Sequence, residues 1–233
     1  MRYYLLFDST HLSPAVPLKA LTSQGSRLDV ACRMLRACVL GPDGKPSGHS
    51  ASAWFAGSGT NSPAVAIHVD GRVLDASVAV DRFRSELVLA KHLKEIITAA
   101  VRGTGEKLAH GITLRLLDTA TDAASAFLES IRLEKQHGGN KVVLLLERGT
   151  PVLEGSHPGC LELNSLRDED VAIIVGDHHG FPARVEEELL SISDHVLAIG
   201  VGGPRELRGK TAYLGSHVIM FLHLFNYTFT RPG

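Results

Sequence analysis

The sequence predicts an α/β fold built on a mostly parallel sheet with helices on both faces. Its strand candidates are short, nearly continuous apolar runs such as KVVLLL and VAIIVG, as expected when both faces of a strand are covered. These runs alternate with segments whose apolar residues recur at helical spacing. With 233 residues, 44% of them hydrophobic, the chain is long enough and apolar enough to bury a substantial core.

The N-terminal half opens with RYYLLF, which predicts a buried strand. Leu28, Ala31, Leu35 and Val39 recur at helical spacing, so they predict a helix over residues 27–40. The pair Asp70-Gly71 lies between VAIHV and RVL and predicts a tight hairpin, because glycine tolerates a positive φ. The other predicted elements of this half are strands at 51–56 and 64–69 and an amphipathic helix at 85–101, closed by Gly103.

The C-terminal half alternates strands and helices more regularly, which favours parallel strands throughout. A soft domain boundary near residues 103–109 fits the sequence, and one continuous domain over residues 1–233 fits it equally well. Predicted strands lie at 111–117, 141–146, 171–175 and 196–200, and predicted helices at 123–137, 182–192 and 211–229.

Charge and composition indicate where RNA could bind and in which compartment the protein is expected. Residues 1–110 hold 13 lysines and arginines against 9 acidic residues, whereas residues 111–233 hold 11 against 16, so any RNA contact is expected in the first half. No segment predicts a signal peptide or a membrane span. The three cysteines lack metal or disulfide spacing, which suits reduced thiols and a cytoplasmic location.

Four familiar chemistries fit the sequence poorly. The segment GGPRELRGKT ends like a phosphate-binding loop, but Gly203 and Gly209 are separated by five residues instead of four. A dinucleotide fingerprint fails because Arg205 stands where the third glycine belongs. The adjacent His178 and His179 point in opposite directions on an extended chain, so we expect no metal site. No GxSxG or activated cysteine is present.

Three turns offer a better candidate site. Gly176 and Gly200 follow apolar strands, and Gly215 stands near the start of the last apolar helix. Glycine at a strand end lets a ligand approach backbone N–H and C=O groups directly. The sequence therefore allows a pocket for one small molecule between three loops, although the same glycines would also serve as plain turn residues.

The motifs GDHHGF, AIG and YLGSHVIMFLH, together with MRYYLLF, LKAL and SRLDVACRML at the other end, resemble the SPOUT methyltransferases of the TrmY type, the tRNA pseudouridine-54 N1-methyltransferases. The resemblance extends over most of the chain. It departs from the family at Val218, where a cysteine is usual, and in the longer loop 202–210.

The resemblance implies a SPOUT fold with a C-terminal deep trefoil knot, a homodimer, and S-adenosylmethionine as the cofactor. The last helix is apolar on most sides, so we expect it to pack partly against the second copy. By position in the family motifs, the resemblance implies one domain with an RNA-facing half at residues 1–105 and a cofactor-binding half at residues 106–233, in which loops after the strands bind this cofactor. The implied cofactor residues are Leu145, Leu146, Glu147, Val175, Gly176, Asp177, Ile199, Gly200, Tyr213, Leu214, Ser216 and His217.

The RLD segment is the expected contact with the substrate. Arg27 would bind a phosphate or the uracil edge, and Asp29 would orient or accept the base proton, which requires both residues to lie at the start of the helix. Arg33 and Arg36 would track phosphates along the same helix. Arg205 and Arg208 in the longer loop are further candidates for RNA contact.

The sequence thus predicts an S-adenosylmethionine-dependent RNA methyltransferase that modifies N1 of a pseudouridine in tRNA. Three alternatives stay open at this point. The chain could be a non-catalytic RNA-binding relative, or a methyltransferase acting on another RNA position. An NTPase that uses the imperfect GKT loop is the weakest of them.

Overall fold

The computed structural model of the chain describes residues 1–15, 18, 27–41, 43–57, 63–103, 111–117, 122–137, 140–151, 170–177 and 179–198. These ranges form seven strands and five helices. In chain order they are β1 (Arg2–His11), α1 (Leu28–Val39), β2 (Ser50–Ala56), β3 (Val65–Asp70), α2 (Ala76–Phe83), α3 (Glu86–Arg102), β4 (Ile112–Leu116), α4 (Ala123–His137), β5 (Lys141–Pro151), β6 (Val171–Gly176), α5 (Ala183–Ile192) and β7 (His195–Ala198).

All seven strands belong to one sheet, in the order β4-β3-β2-β1-β6-β5-β7. Strand β1 lies at its centre and pairs in parallel with both β2 and β6, and β5 pairs in parallel with β6 and β7. The two strands beyond β2 are antiparallel to their neighbours. The prediction of a mostly parallel α/β sheet is therefore confirmed, and its central strand joins elements from both halves of the chain.

The helices cover both faces of the sheet, as predicted. Alternate residues of β1 point to opposite faces, so Tyr3, Leu5 and Phe7 pack with α1, α2 and α3. Tyr4 and Leu6 instead join the core beneath α4 and α5. No helix in the described part of the chain is long and apolar enough to cross a membrane.

Helix α1 begins at the carboxyl edge of the parallel strands. Its other end is fixed at the amino edge, since the Val39 carbonyl accepts a hydrogen bond from the Ser47 N–H and Ser50 pairs with Arg2 at the start of β1. The helix therefore runs back along the sheet, as a crossover between parallel strands requires. This geometry brings the RLD segment to the carboxyl edge of the parallel strands.

The predicted hairpin at Asp70-Gly71 is wrong. Strand β3 pairs with β2 and β4, and the chain after Asp70 turns into helix α2, which the sequence analysis missed. Gly71 does not have a positive φ. A Cβ there would lie 2.4 Å from the His49 carbonyl oxygen, so the glycine permits a close approach between two backbone segments.

The strand predicted at 111–117 is also corrected in its direction. It forms β4 at the edge of the sheet and runs antiparallel to β3. Both changes share a cause: after β3 the chain forms α2 and α3 and then returns to the same side of the sheet, where β4 pairs with β3. The helix predicted at 85–101 and its closure by Gly103 are confirmed, since the Ser85 hydroxyl accepts from the Val88 N–H and Gly103 ends α3 with φ 66°.

Candidate functional site

Four parallel strands lie side by side at the carboxyl edge, where β6 and β7 end. Leu145 of β5 pairs with Val175 of β6 on one side and with Leu197 of β7 on the other, and Val175 pairs with Leu5 of β1. Leu145 and Val175 are buried and Leu146 is partly buried. Glu147 continues the backbone of β5. The residues predicted to bind the cofactor from β5 and β6 are therefore neighbours, at the edge where ligands bind in open α/β sheets.

The turn after β6 requires glycine at position 176. A Cβ on Gly176 would lie 2.6 Å from the Gly180 carbonyl oxygen, closer than real Cβ atoms approach. Asp177 and Gly180 form an isolated bridge that closes the turn, and Gly180 has φ 82°. Gly176 is itself buried, so glycine is required here for the backbone of the turn to pack closely, and Asp177 after it is partly exposed.

Asp177 is fixed by the neighbouring strand. One carboxylate oxygen accepts hydrogen bonds from the Ser9 N–H at 2.9 Å and from the Ser9 hydroxyl at 2.5 Å, and the other accepts from the His179 N–H at 2.8 Å. A carboxylate has about four acceptor positions, so one or more remain for a ligand hydroxyl. The aspartate is therefore preorganised as an acceptor at this edge.

Asp8 gives the same edge a second carboxylate. Partial burial and the nearby Asp177 and Asp122 carboxylates raise its pKa above the ordinary value, and His11 opposes the shift. The region is consequently more acidic than the rest of the edge. Such a surface disfavours direct phosphate contact and suits a ligand that presents hydroxyl or cationic groups.

The RLD segment forms a charge pair at the start of α1. The Arg27 Nε lies 3.0 Å from Asp29 Oδ1, and Arg27 Nη2 lies 3.1 Å from Asp29 Oδ2. Arg27 occupies the cap position and Asp29 the first turn, which is the placement that lets both residues face one ligand. Arg27 and Asp29 are therefore brought together as the sequence analysis required.

Asp29 is held in its ionised form. Only 6% of the residue is exposed. Burial by itself raises the pKa of Asp29, but the Arg27 hydrogen bond and charge, the Val30 backbone N–H and the Arg33 charge together hold this pKa below the ordinary value. A carboxylate of this kind is a weak proton acceptor at neutral pH, and it is well suited to orienting the arginine.

Arg33 and Arg36 share a carboxylate on the next helix. Each guanidinium lies 3.3 Å from Glu86 Oε1, and Arg33 also approaches Asp29 at 3.6 Å. The Arg36 side chain further donates to the carbonyl oxygens of Phe83 and Arg84. These contacts tie α1 to the junction of α2 and α3, so both arginines have an architectural role that the sequence did not reveal.

Several predicted site residues lie outside the described residues. They are Ile199, Gly200, Tyr213, Leu214, Ser216, His217, Arg205 and Arg208. Sequence reasoning missed Ser9 and Glu86. Ser9 carried a usable signal, because it is a polar residue two positions after the apolar run RYYLLF, whereas the contact of Glu86 spans some fifty residues of sequence and has no local signature.

Other chemistries gain no support from the described ranges. No group of three or more His, Cys, Asp or Glu side chains in them could hold a metal ion. Cys32 and Cys38 are buried, and burial raises the pKa of both thiols, as for structural cysteines.

Comparison with known proteins supports the resemblance inferred from the sequence. No protein-family model matches the chain. It is 22% identical to the tRNA (pseudouridine(54)-N(1))-methyltransferase of Thermococcus gammatolerans over 233 residues, which cover all of both chains. The enzyme of the same name from Thermococcus kodakarensis is 24% identical over 226 residues, covering 97% of this chain and 98% of the other.

A solved structure shares the fold. The crystal structure of Archaeoglobus fulgidus Nep1 bound to S-adenosylhomocysteine matches with a TM-score of 0.54 and 13% sequence identity, over 97% of this chain and 98% of that one. The similarity to the tRNA pseudouridine-54 N1-methyltransferases is thus confirmed over the full length, and the chain has the overall fold of Nep1.

Proposed function

We propose that this protein is an S-adenosylmethionine-dependent RNA methyltransferase of the SPOUT class, acting on N1 of a pseudouridine in tRNA. The observation that carries the proposal is that two features lie at the same edge of the sheet. These are the Gly176–Asp177 turn and the charge pair of Arg27 and Asp29. Full-length similarity to enzymes named for this reaction supports it.

The turn fits the cofactor. The close approach between Gly176 and Gly180 sets the shape of the turn, and Asp177 is a fixed acceptor for hydroxyl groups such as those of a ribose. Leu145, Leu146 and Val175 supply apolar surface beside it. When bound, S-adenosylmethionine supplies an activated methyl group, so the protein has mainly to align the acceptor.

Arg27 is the proposed substrate contact. Its bond to Asp29 uses two of the five guanidinium N–H groups, which leaves three for a phosphate or for the carbonyl edge of the base. Asp29 holds the Arg27 guanidinium in place and has a lowered pKa. We therefore assign it to positioning Arg27 rather than to removing the N1 proton. Arg33 and Arg36 contribute positive charge while remaining bonded to Glu86.

We further propose the single-domain arrangement, the C-terminal knot, the homodimer and the cytoplasmic location as properties that accompany this function. The remaining cofactor contacts belong to Ile199, Gly200, Tyr213, Leu214, Ser216 and His217, and further RNA contacts to Arg205 and Arg208, by their positions in the sequence motifs.

Methyl transfer tests the function directly. The protein is incubated with labelled S-adenosylmethionine and two tRNA transcripts that differ only in carrying pseudouridine or uridine at one position. The proposal expects label in the pseudouridine transcript alone. Label in both transcripts would point to another acceptor atom, and calorimetry without detectable cofactor binding would leave a non-catalytic RNA-binding protein.

A further inference from the structure

Helix α3 borders a cavity that the proposed reaction does not use. Its volume is about 480 Å³, and its second wall is formed by Leu18. The side chains that give it its character are Lys91, Lys94, Glu95, Thr98 and Arg102, all from α3.

The cavity lies on the outer side of α3. Leu89, Leu93, Ile96 and Ile97 turn inward and are buried in the core. Residues three, four and seven positions apart share a helical face, so Lys91, Glu95 and Arg102 form one outward stripe. The Lys91 side chain is 68% exposed and Arg102 is also exposed, which leaves the cavity accessible to a large partner.

Its charge is positive. Among the described residues, three cationic side chains line it against one carboxylate, that of Glu95. That carboxylate lies 4.0 Å from Lys91 Nζ and 3.9 Å from Arg82 Nη1, and Arg82 is outside the lining. Exposed pairs at such separations contribute at most about 1 kcal/mol, so Lys91 can exchange Glu95 for a stronger anion.

The spacing of the cations indicates a polymer. Lys91 and Arg102 are eleven positions apart on one helix, which corresponds to about 16 Å along its axis. A single phosphate group cannot contact both ends of this row. A nucleic-acid strand, with its repeated phosphates, can.

We propose that this cavity on α3 binds the phosphate backbone of the RNA substrate, at a place separate from the Arg27–Asp29 pair. The inference rests on the proposed function for the identity of the polymer. Leu18 follows the end of β1 by seven residues, which span at most about 25 Å, so one folded RNA can reach both the cavity and the carboxyl edge.

The test is RNA binding in the absence of cofactor. A labelled tRNA is titrated with wild type and with the triple variant Lys91→Ala, Lys94→Ala, Arg102→Ala, at salt concentrations from about 50 to about 200 mM. Alanine favours the helix, so the fold is expected to persist, and circular dichroism checks this. The expected result is an affinity loss of about tenfold or more and a salt slope shallower by about two to three.

A matched control removes three cations from the other face of the sheet: Arg132→Ala, Lys135→Ala and Arg184→Ala. These residues belong to α4 and α5, and the change in net charge is the same. The inference expects the control to keep most of the wild-type affinity and salt slope. An equal loss in both triple variants would assign the effect to overall charge and overturn the inference.

Two further outcomes separate this inference from the proposed function. Unchanged affinity and salt slope in the α3 variant, with methyl transfer intact in the wild type, would overturn the cavity alone. If the wild type transfers no methyl group, but the α3 variant binds RNA more weakly than the wild type does, the cavity proposal would stand and the catalytic proposal would fall. A wild type that binds no RNA would overturn both.

Discussion

The guanidinium of Arg27 lies against both oxygens of the Asp29 carboxylate, two residues further along the chain, with distances of 3.0 and 3.1 Å. Residues two apart inside a helix do not face each other. The contact forms because Arg27 is the cap residue, outside the regular helix, with φ −89° and ψ 50°. The pair is therefore a feature of the helix start, and it presents a preformed fork at the carboxyl edge of the sheet.

Asp29→Asn is expected to destabilise the protein and to reduce methyl transfer. The amide removes the charge that balances Arg27 and Arg33 at a position with 6% exposure. We expect a loss of about 1–3 kcal/mol in the free energy of unfolding, measured in urea at pH 7. The matched control is Asp43→Asn, whose carboxylate is 61% exposed and pairs with Lys45 at 3.7 Å, and whose expected loss is within about 0.5 kcal/mol.

Asp8 and Asp29 are expected to give opposite dependences on pH. The pKa of Asp29 is lowered on folding, so its contribution to stability is present above the unfolded value of about 4 and disappears as the pH falls through the lower folded value. The pKa of Asp8 is raised on folding, so ionisation of Asp8 lowers the stability of the folded protein as the pH rises through the folded value.

Asp8→Asn should therefore stabilise the protein at pH 7 and make little difference near pH 3. Solvent screens this exposed carboxylate, so the gain is expected to reach only about 0.5 kcal/mol. Urea unfolding of wild type and variant at both pH values measures it. A variant that is less stable than wild type at pH 7 would show that the carboxylate makes a favourable contact.

Gly176→Ala is expected to weaken cofactor binding. The new methyl group would lie 2.6 Å from the Gly180 carbonyl oxygen, so the turn must move away from the end of β6. We expect about a tenfold or greater loss of S-adenosylmethionine affinity by calorimetry, or about 1.4 kcal/mol. Gly48→Ala is the control, because Gly48 has φ 74° with open space around it: stability should fall by about 1 kcal/mol with cofactor affinity unchanged. Equal affinities of wild type and both variants for S-adenosylmethionine would show that the turn does not bind the cofactor.

Phe127→Ala is expected to cost about 3–5 kcal/mol in the free energy of unfolding. Phe127 of α4 is fully buried, and its ring centroid lies 5.3 Å from that of Trp54 and 6.2 Å from that of Phe181. Removing the ring leaves a cavity between α4, β2 and the turn before α5. Phe127→Leu keeps most of the volume and should cost appreciably less, and similar losses in both variants would mean that the site collapses around either side chain.

The antiparallel edge shows where sequence reasoning stopped. The spacing around Asp70-Gly71 carries the local signal of a hairpin, and the segment 111–117 has the apolar pattern of any strand. Which strands become neighbours depends on α2 and α3 packing against α1, through contacts such as the one between Arg36 and Glu86. Contacts over some fifty residues have no local pattern, so neither the strand order nor the role of Gly71 could be read in advance.

The sequence by itself determined the α/β class, the parallel strands β1, β5, β6 and β7, the caps of α3 and the resemblance that the comparisons confirmed. Those features depend on local periodicity, on capping residues and on motifs, all of which a linear chain displays. Only the tertiary structure decided that Ser9 holds Asp177, that Glu86 bonds Arg33 and Arg36, and that a basic cavity forms on α3. Hydrogen bonds and ion pairs act over a few ångströms, so these partners are fixed only once the sheet and its helices bring distant segments together.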